Sequence, residues 1–305
     1  MISILASLLL ATSPETCPIE LVVLGTAQDG GSPQMGQHAD PAWTDASERR
    51  LTVSLGLVNH DTRTRFLFEA TPDIRTQFRD LDAIEAGDGE GPVLDGVFLT
   101  HAHIGHYTGL MFLGHESMGA QGVPVFALPR MAEFLRTNGP WSQLVTYGNI
   151  DLRETEADDG FGITDDVMVR TFTVPHRQEF SEVAGFRIDG PNRSAIFIPD
   201  IDSWEEWEAE GVDLDALIAS VDLVFIDATF YANGEMPGRD MSGFPHPFVT
   251  HSMERFAHLP LIERAKIQFI HVNHTNPIRF TGSPESRAVE EAGYGIARRG
   301  DRHCL

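Results

Sequence analysis

The sequence predicts an α/β or α+β protein built in layers, and three observations carry that expectation. Short β-rich runs alternate with helix-like patterns from one end to the other. Several of the β-rich runs are continuously apolar, the pattern of strands covered on both faces. No Pro/Ser-rich linker and no internal repeat divides the 305 residues, so a single domain is expected over residues 17–305.

Taken in order, strands are expected at residues 20–24, 51–58, 65–69, 96–99, 125–128, 167–174, 185–188, 195–198, 223–226 and 267–271. The fifth is entered through Pro124. Helices are expected at residues 73–81, 129–137, 203–210, 214–220, 252–258 and 284–292, several of them opened by Ser, Asp or Pro. The acidic stretch 85–90 and the Asp158-Asp159-Gly160 region read as solvated loops.

Composition narrows the function. A hydrophobic fraction of 42% with 22% charged residues describes a folded, soluble chain. The 45 acidic against 22 basic side chains give a formal charge of -23, and the basic residues form no stripe, which argues against nucleic acid and against an acidic membrane face as partners. A small-molecule substrate is the expectation that remains. Residues 1–16 contain an apolar run of signal-peptide length without a positively charged start. A cleaved signal would place the protein in the periplasm or outside the cell, and a flexible or packed segment would leave it in the cytoplasm. Cys17 and Cys304 lie near opposite ends of the chain. Chain ends often approach each other, so a disulfide stays open, but the simpler reading adopted at this point is two unrelated thiols.

The most informative segment is Val97-Phe-Leu-Thr-His101-Ala-His103-Ile-Gly105-His106. A buried strand ends and three histidines follow before a helix begins. His101 and His103 point the same way in an extended chain, and His106 then opens the helix, so the three imidazoles can converge. Converging neutral imidazoles are what Zn²⁺ or Fe²⁺ requires.

The chain here resembles the metallo-β-lactamase superfamily, whose hallmark is His-x-His-x-Asp-His after a strand, followed by a lone His, a lone Asp and a final His at later strand ends. Thr173-Val-Pro-His176, Ile196-Phe-Ile-Pro-Asp200-Ile-Asp202 and Phe269-Ile-His271-Val-Asn-His274 supply those features in that order. Within the superfamily it looks most like the branch that includes the pyrroloquinoline-quinone biosynthesis protein B, through Leu24-Gly-Thr-Ala-Gln-Asp29-Gly-Gly-Ser-Pro-Gln34, Ile226-Asp-Ala-Thr-Phe230 and His271-Val-Asn-His-Thr-Asn-Pro277. That branch often has cysteines just after the Gly-Gly-x-Pro-Gln segment. This chain has Gln37 and His38 there, which argues against a thiol-bound structural zinc.

The resemblance implies a four-layer αββα metallo-β-lactamase sandwich with metals where strand-end loops meet. It implies a first metal site from His101, His103 and His176 and a second from His106, Asp200 and His271, with Asp200 bridging. The chain departs from the hallmark at Gly105, where the family has a metal-binding Asp. Asp202, His274, His246 or His251 are the candidates to replace that carboxylate. With one metal only, Asp202, His274 or His251 could take the proton of the attacking water. Zn²⁺, as one or two ions, is the expected cofactor, with Fe²⁺ as the alternative. The expected activity is hydrolysis of a small ester, lactone, amide or phosphodiester. An iron- and oxygen-dependent oxidoreductase and a non-catalytic metal-binding protein are the alternatives.

Other residues are read more plainly. Asp29-Gly-Gly31 is a tight turn that lets the backbone approach the pocket, and Glu69 and Asp73 support the metal loop from behind. Asp227 ends a buried strand and must be paired or metal-linked. His246 could line the pocket or sit in an ordinary loop, His115 reads as a helix-end residue, and Trp141 as core packing or pocket mouth. His38, His60, His258 and His303 read as surface residues.

Overall fold

The structure, a computed structural model, describes residues 17–87 and 89–305. The apolar segment at the N-terminus, with its two possible destinations, lies outside the described residues. The chain builds β1 (Ile19–Gly25), β2 (Ser54–Asn59), β3 (Thr64–Phe68), β4 (Gly96–Phe98), β5 (Val123–Ala127) and β6 (Ile150–Glu154) into one sheet. It then builds β7 (Gly160–Thr164), β8 (Val167–Thr173), β9 (Ala184–Asp189), β10 (Ser194–Ile198), β11 (Leu223–Asp227), β12 (Ile267–Ile270) and β13 (Gly295–Ile296) into a second. The last strand, β14 (Arg302–Cys304), returns to the first sheet beside β1.

Side-chain alternation explains why these runs are apolar throughout. On β3, Phe66 and Phe68 face the second sheet while Leu67 faces outward. On β10, Ala195 and Phe197 face the first sheet while Ile196 and Ile198 face outward. The layer between the sheets is built around phenylalanines. Phe98 stacks on Phe68 and Phe126 at 4.7 and 4.6 Å and meets the edge of Phe186 at 5.6 Å. Each such ring contributes about 1.5–3 kcal/mol by leaving water.

The outward faces are covered by helices. Helices α1 (Ile74–Ile84), α2 (Ile104–Tyr107), α3 (Pro129–Thr137) and α4 (Trp141–Thr146) pack on the first sheet through Ile74, Leu81, Tyr107, Met131, Leu135 and Leu144. Helices α5 (Trp204–Ala209), α6 (Leu214–Ala219), α7 (Val249–Phe256), α8 (Leu261–Arg264) and α9 (Pro284–Glu291) follow, and α5, α6, α7 and α9 cover the second sheet through Trp204, Ile218, Phe256 and Val289. The result is the expected αββα sandwich. No helix among the described residues is long and apolar enough to cross a membrane.

Strand direction places the site. β3 runs parallel to β4, and β1 shares their direction because it is twice antiparallel through β2. β10, β11 and β12 are parallel, and β8 shares their direction through β9. The two sets of C-terminal ends meet at one edge of the sandwich. There Ala27 bridges Val272, and the Ala184 amide donates to the Thr100 carbonyl at 3.0 Å. Crevices outside the carboxyl ends of parallel strands are where such sheets bind ligands.

Several expectations are corrected. β6 and β7 went unread because they are edge strands, where half-exposed and charged residues hide the apolar signal. The helix expected at residues 252–258 begins earlier, at Val249, directly after Pro247 and Phe248. The two cysteines are not unrelated thiols: Cys17 and Cys304 form a disulfide, and the adjacent Leu305 amide donates to the Ile19 carbonyl at 3.0 Å. The pairing of β14 with β1 brings the ends together, a long-range fact that no local pattern carries. His60 is also not simply a surface residue, since it bridges Glu85 at 3.0 Å and Glu20 at 3.3 Å.

The disulfide closes a loop with a sequence separation of 287. A Cys17→Ser, Cys304→Ser double variant should lose about 2–4 kcal/mol of stability in urea unfolding. Superimposable unfolding curves would show that β14 is held without the bond.

Candidate metal centre

The three histidines after β4 arrive as their spacing implies. His103 caps the start of α2 in an extended conformation and His106 follows one turn later. His101 Nε2 lies 2.8 Å from His103 Nδ1, and His176 Nε2, delivered by the turn after β8, lies 3.2 Å from the same nitrogen. This is the expected first cluster of His101, His103 and His176.

Asp200 follows β10 and stands between two groups of imidazoles. Its Oδ2 is 2.9 Å from His106 Nε2, 3.3 Å from His271 Nε2 and 3.7 Å from His101 Nε2. Its Oδ1 faces His246 Nδ1 at 3.6 Å and His176 Nε2 at 3.8 Å. Asp200 thus lies between the residues of the two metal sites that the resemblance implies.

Each imidazole is held by an oxygen on its far side. Thr100 donates its hydroxyl to Glu69 at 2.5 Å, so its oxygen accepts from His101 Nδ1 at 2.8 Å. Thr229 repeats the device, donating to Asp227 at 2.7 Å and accepting from His271 Nδ1 at 2.9 Å. His106 Nδ1 donates to Glu69 at 3.2 Å and His176 Nδ1 to Asp202 at 2.6 Å. His103 is reversed, with Nε2 on Glu179 at 3.1 Å and Nδ1 turned inward. Anchoring one ring nitrogen fixes the tautomer and directs the other nitrogen's lone pair to the centre, as at metal-binding histidines.

The interior atoms have no partner of their own. His106 Nε2, His271 Nε2, Asp200 Oδ2 and Asp29 Oδ1 are buried without a hydrogen bond. They approach one another to 2.9, 3.1 and 3.3 Å without hydrogen-bond geometry. Buried charges of this kind must be paired or metal-bound. The donor set fits a divalent cation: imidazoles and carboxylates are ligands for Zn²⁺ and Fe²⁺ alike.

The electrostatics divide the cluster in two. Burial and the neighbouring imidazoles hold His101 well below its usual pKa. Burial also opposes charge on His106, but Glu69, Asp200 and Asp29 outweigh it and raise the ring well above the usual value. Burial likewise disfavours charge on Asp200, but the imidazoles of His271, His176 and His106 keep its carboxyl well below the carboxylate range. Asp227, opposed by burial and supported by His246, is held at about 2. Burial likewise disfavours charge on His103, whereas the other half of the site is carboxylate-rich. Two residues of the site also adopt left-handed backbone, the anchoring Glu69 at φ 81° and His271 at φ 64°. Such conformations cost about 1–3 kcal/mol each and cluster at functional sites.

Not every candidate reaches the centre. His251 is corrected outright: on the first turn of α7 it points outward and pairs with Glu205 at 2.8 Å. Asp202 is committed to His176, and its own amide is tied to the Pro175 carbonyl at 2.7 Å, so it orients a ligand and is not free to replace one. His274 belongs to none of the converging clusters among the described residues; both its ring nitrogens are buried without partners. His246 is buried in the site with Nδ1 2.7 Å from Asp227. Trp141 packs on Tyr107 and Phe134. His115 lies exposed outside the cluster.

The residue that sequence reading missed is Asp29. Its turn is pinned by the Gln28 amide to the Val272 carbonyl at 3.0 Å and by a Gln28–Asn273 side-chain contact. The carboxylate thereby reaches 3.1 Å from His106 Nε2. The available signal was the acidic residue in the turn after β1, read as a backbone feature.

Comparison with known proteins finds relatives over most of the chain. The Beta-lactamase superfamily domain matches residues 64–272. Coenzyme PQQ synthesis protein B of Gluconobacter oxydans (strain 621H) is 28% identical over 305 residues, covering 92% of this chain and 97% of that protein. Zn(2+)-bound PqqB from Methylobacterium extorquens has a TM-score of 0.77 at 22% identity, over 94% of this chain and 100% of that one. A diphosphatase from the PhnP family has a TM-score of 0.64 at 20% identity, over 94% and 98%. At these identities the structural likeness speaks for the fold.

Two substitutions separate the site from its surroundings. Asp202→Ala should weaken cation binding at the three-histidine cluster about 10- to 100-fold in a chelator-competition titration, because His176 loses its anchor. His251→Ala should leave the titration unchanged; a loss there would mean that α7 contributes a ligand.

Proposed function

The chain belongs to the β-lactamase superfamily, and from that premise we propose that it is a metal-dependent hydrolase of a small ester, lactone, amide or phosphodiester. The observation that carries this reading is Asp200 lying between a three-histidine cluster and a second cluster containing His106 and His271. His101, His103 and His176 would hold one cation, and His106, His271 and Asp200 a second. A cation pair in such a site supplies a water deprotonated near neutral pH and polarises the carbonyl or phosphoryl oxygen under attack. The chain's own contribution is positional. Glu69 holds His101 through Thr100 and holds His106 directly, Asp227 holds His271 through Thr229, and Asp202 holds His176. The net charge of -23 favours a small substrate over a polyanion.

A second reading, an iron- and oxygen-dependent oxidoreductase, draws on one specific observation. His106, His271 and Asp200 are two imidazoles and a carboxylate, the ligand composition of non-haem Fe(II) oxygenases. The similarity to coenzyme PQQ synthesis protein B agrees with keeping this reading beside the first.

The Cys17–Cys304 disulfide supports an oxidising compartment, periplasmic or secreted. Alkylating the protein at cell lysis should trap no free thiol; two trapped thiols would place it in a reducing compartment.

One experiment decides between the two activities. Protein stripped with chelator and reloaded with Zn²⁺ should regain turnover of chromogenic diesters, esters or lactones without consuming oxygen. Oxygen uptake by iron-loaded protein, with no hydrolysis by the zinc form, would replace the hydrolase reading with the second.

A further inference from the structure

Gly105 stands where the superfamily's hallmark has a metal-binding Asp, and the structure shows what its missing side chain makes room for. A Cβ built on Gly105 would fall 2.2 Å from Asp29 Oδ1, 2.6 Å from Asp29 Cα and 2.9 Å from Asp29 Cγ. Those separations are far inside van der Waals contact. The space of the absent side chain is therefore filled by a carboxylate from another part of the chain, carried by the turn after β1.

We propose that Asp29 is the carboxylate ligand of the second cation, entering from the opposite side to replace the one lost at position 105. Asp29 Oδ1 lies with His106 and His271 in one set of donors within 4.8 Å of each other. Its Oδ1 is buried and without a hydrogen bond, as are the two imidazole nitrogens it faces. An aspartate serving only as an acceptor for His106 would receive that ring's N–H; here the ring approaches to 3.1 Å without hydrogen-bond geometry. Asp29 also lies outside residues 64–272, the span that carries the superfamily match. A side chain at position 105 would displace the backbone of Asp29 as well as its carboxylate. In this respect restoring the family residue by Gly105→Asp alone would crowd the site instead of completing it.

The proposal rests on reading the cluster as a metal centre, and the test keeps the two apart. Zn²⁺ and Co²⁺ binding is measured by chelator competition and elemental analysis for the intact chain, Asp29→Asn and Gly105→Ala. Asp29→Asn, which keeps the side chain's shape, should weaken one cation by at least about 100-fold, beyond what loss of an orienting group does, and leave the other unchanged. It should also alter the visible absorption of the Co²⁺ form. Gly105→Ala should weaken the same cation, because its Cβ displaces Asp29. Cation binding by Asp29→Asn equal to that of the unaltered chain, with an unchanged Co²⁺ spectrum, overturns the assignment of Asp29 alone. An unaltered chain that takes up no cation overturns the metal-centre reading beneath it. Thermal unfolding in chelator verifies that each variant is folded.

Discussion

Glu69, Asp200, Asp227 and Asp29 share one water-poor edge of the sandwich with six imidazoles, and the molecule has to make that arrangement tolerable. Glu69, Asp200 and Asp227 are fully buried, Asp29 is partly so, and their partners are imidazoles, hydroxyls and backbone amides. Burying anions without a compensating charge costs several kcal/mol each. Burial and its neighbours disfavour a proton on His101, whereas the carboxylates beside His106 and His246 push those two rings toward charge. A divalent cation resolves both problems at once: it neutralises the carboxylates and takes up the inward-facing lone pairs. The rest of the structure follows from that requirement.

The scaffold answers it with strand ends. Parallel strands in two facing sheets direct their C-terminal residues to one edge, and three of the candidate ligands lie within three residues of those ends. His176 follows β8, Asp200 follows β10 and His271 follows β12. The phenylalanine layer between the sheets keeps those ends in register, and the Ala27–Val272 bridge locks one sheet to the other beside the site. Left-handed backbone at Glu69 and His271 is a local cost that the packed surroundings sustain.

Much of this was legible in the sequence, for definite physical reasons. Strands buried on both faces are continuous apolar runs, so the central strands could be read directly, while the αββα order came from the family resemblance. The candidate residues His101, His103, His106, His176, Asp200 and His271, which the structure brings together, were legible because each follows such a run. What escaped was long-range or sparsely encoded. The edge strands β6 and β7 bury too little to show an apolar pattern. The disulfide depends on β14 returning to β1, a pairing across nearly the whole chain. His251 was drawn in by its nearness in sequence to His246, but a helix turn carries it outward. Asp29 escaped because a compensating residue is visible only when the space beside Gly105 is examined in three dimensions.

The most direct test of the central claim is anomalous diffraction from crystals grown with Zn²⁺, recorded on both sides of the zinc edge. The account predicts two sites, one within about 2.0–2.2 Å of nitrogens of His101, His103 and His176, the other at the same range from His106, His271 and Asp200. Zinc bound elsewhere, or an edge difference absent from this cluster, would contradict it.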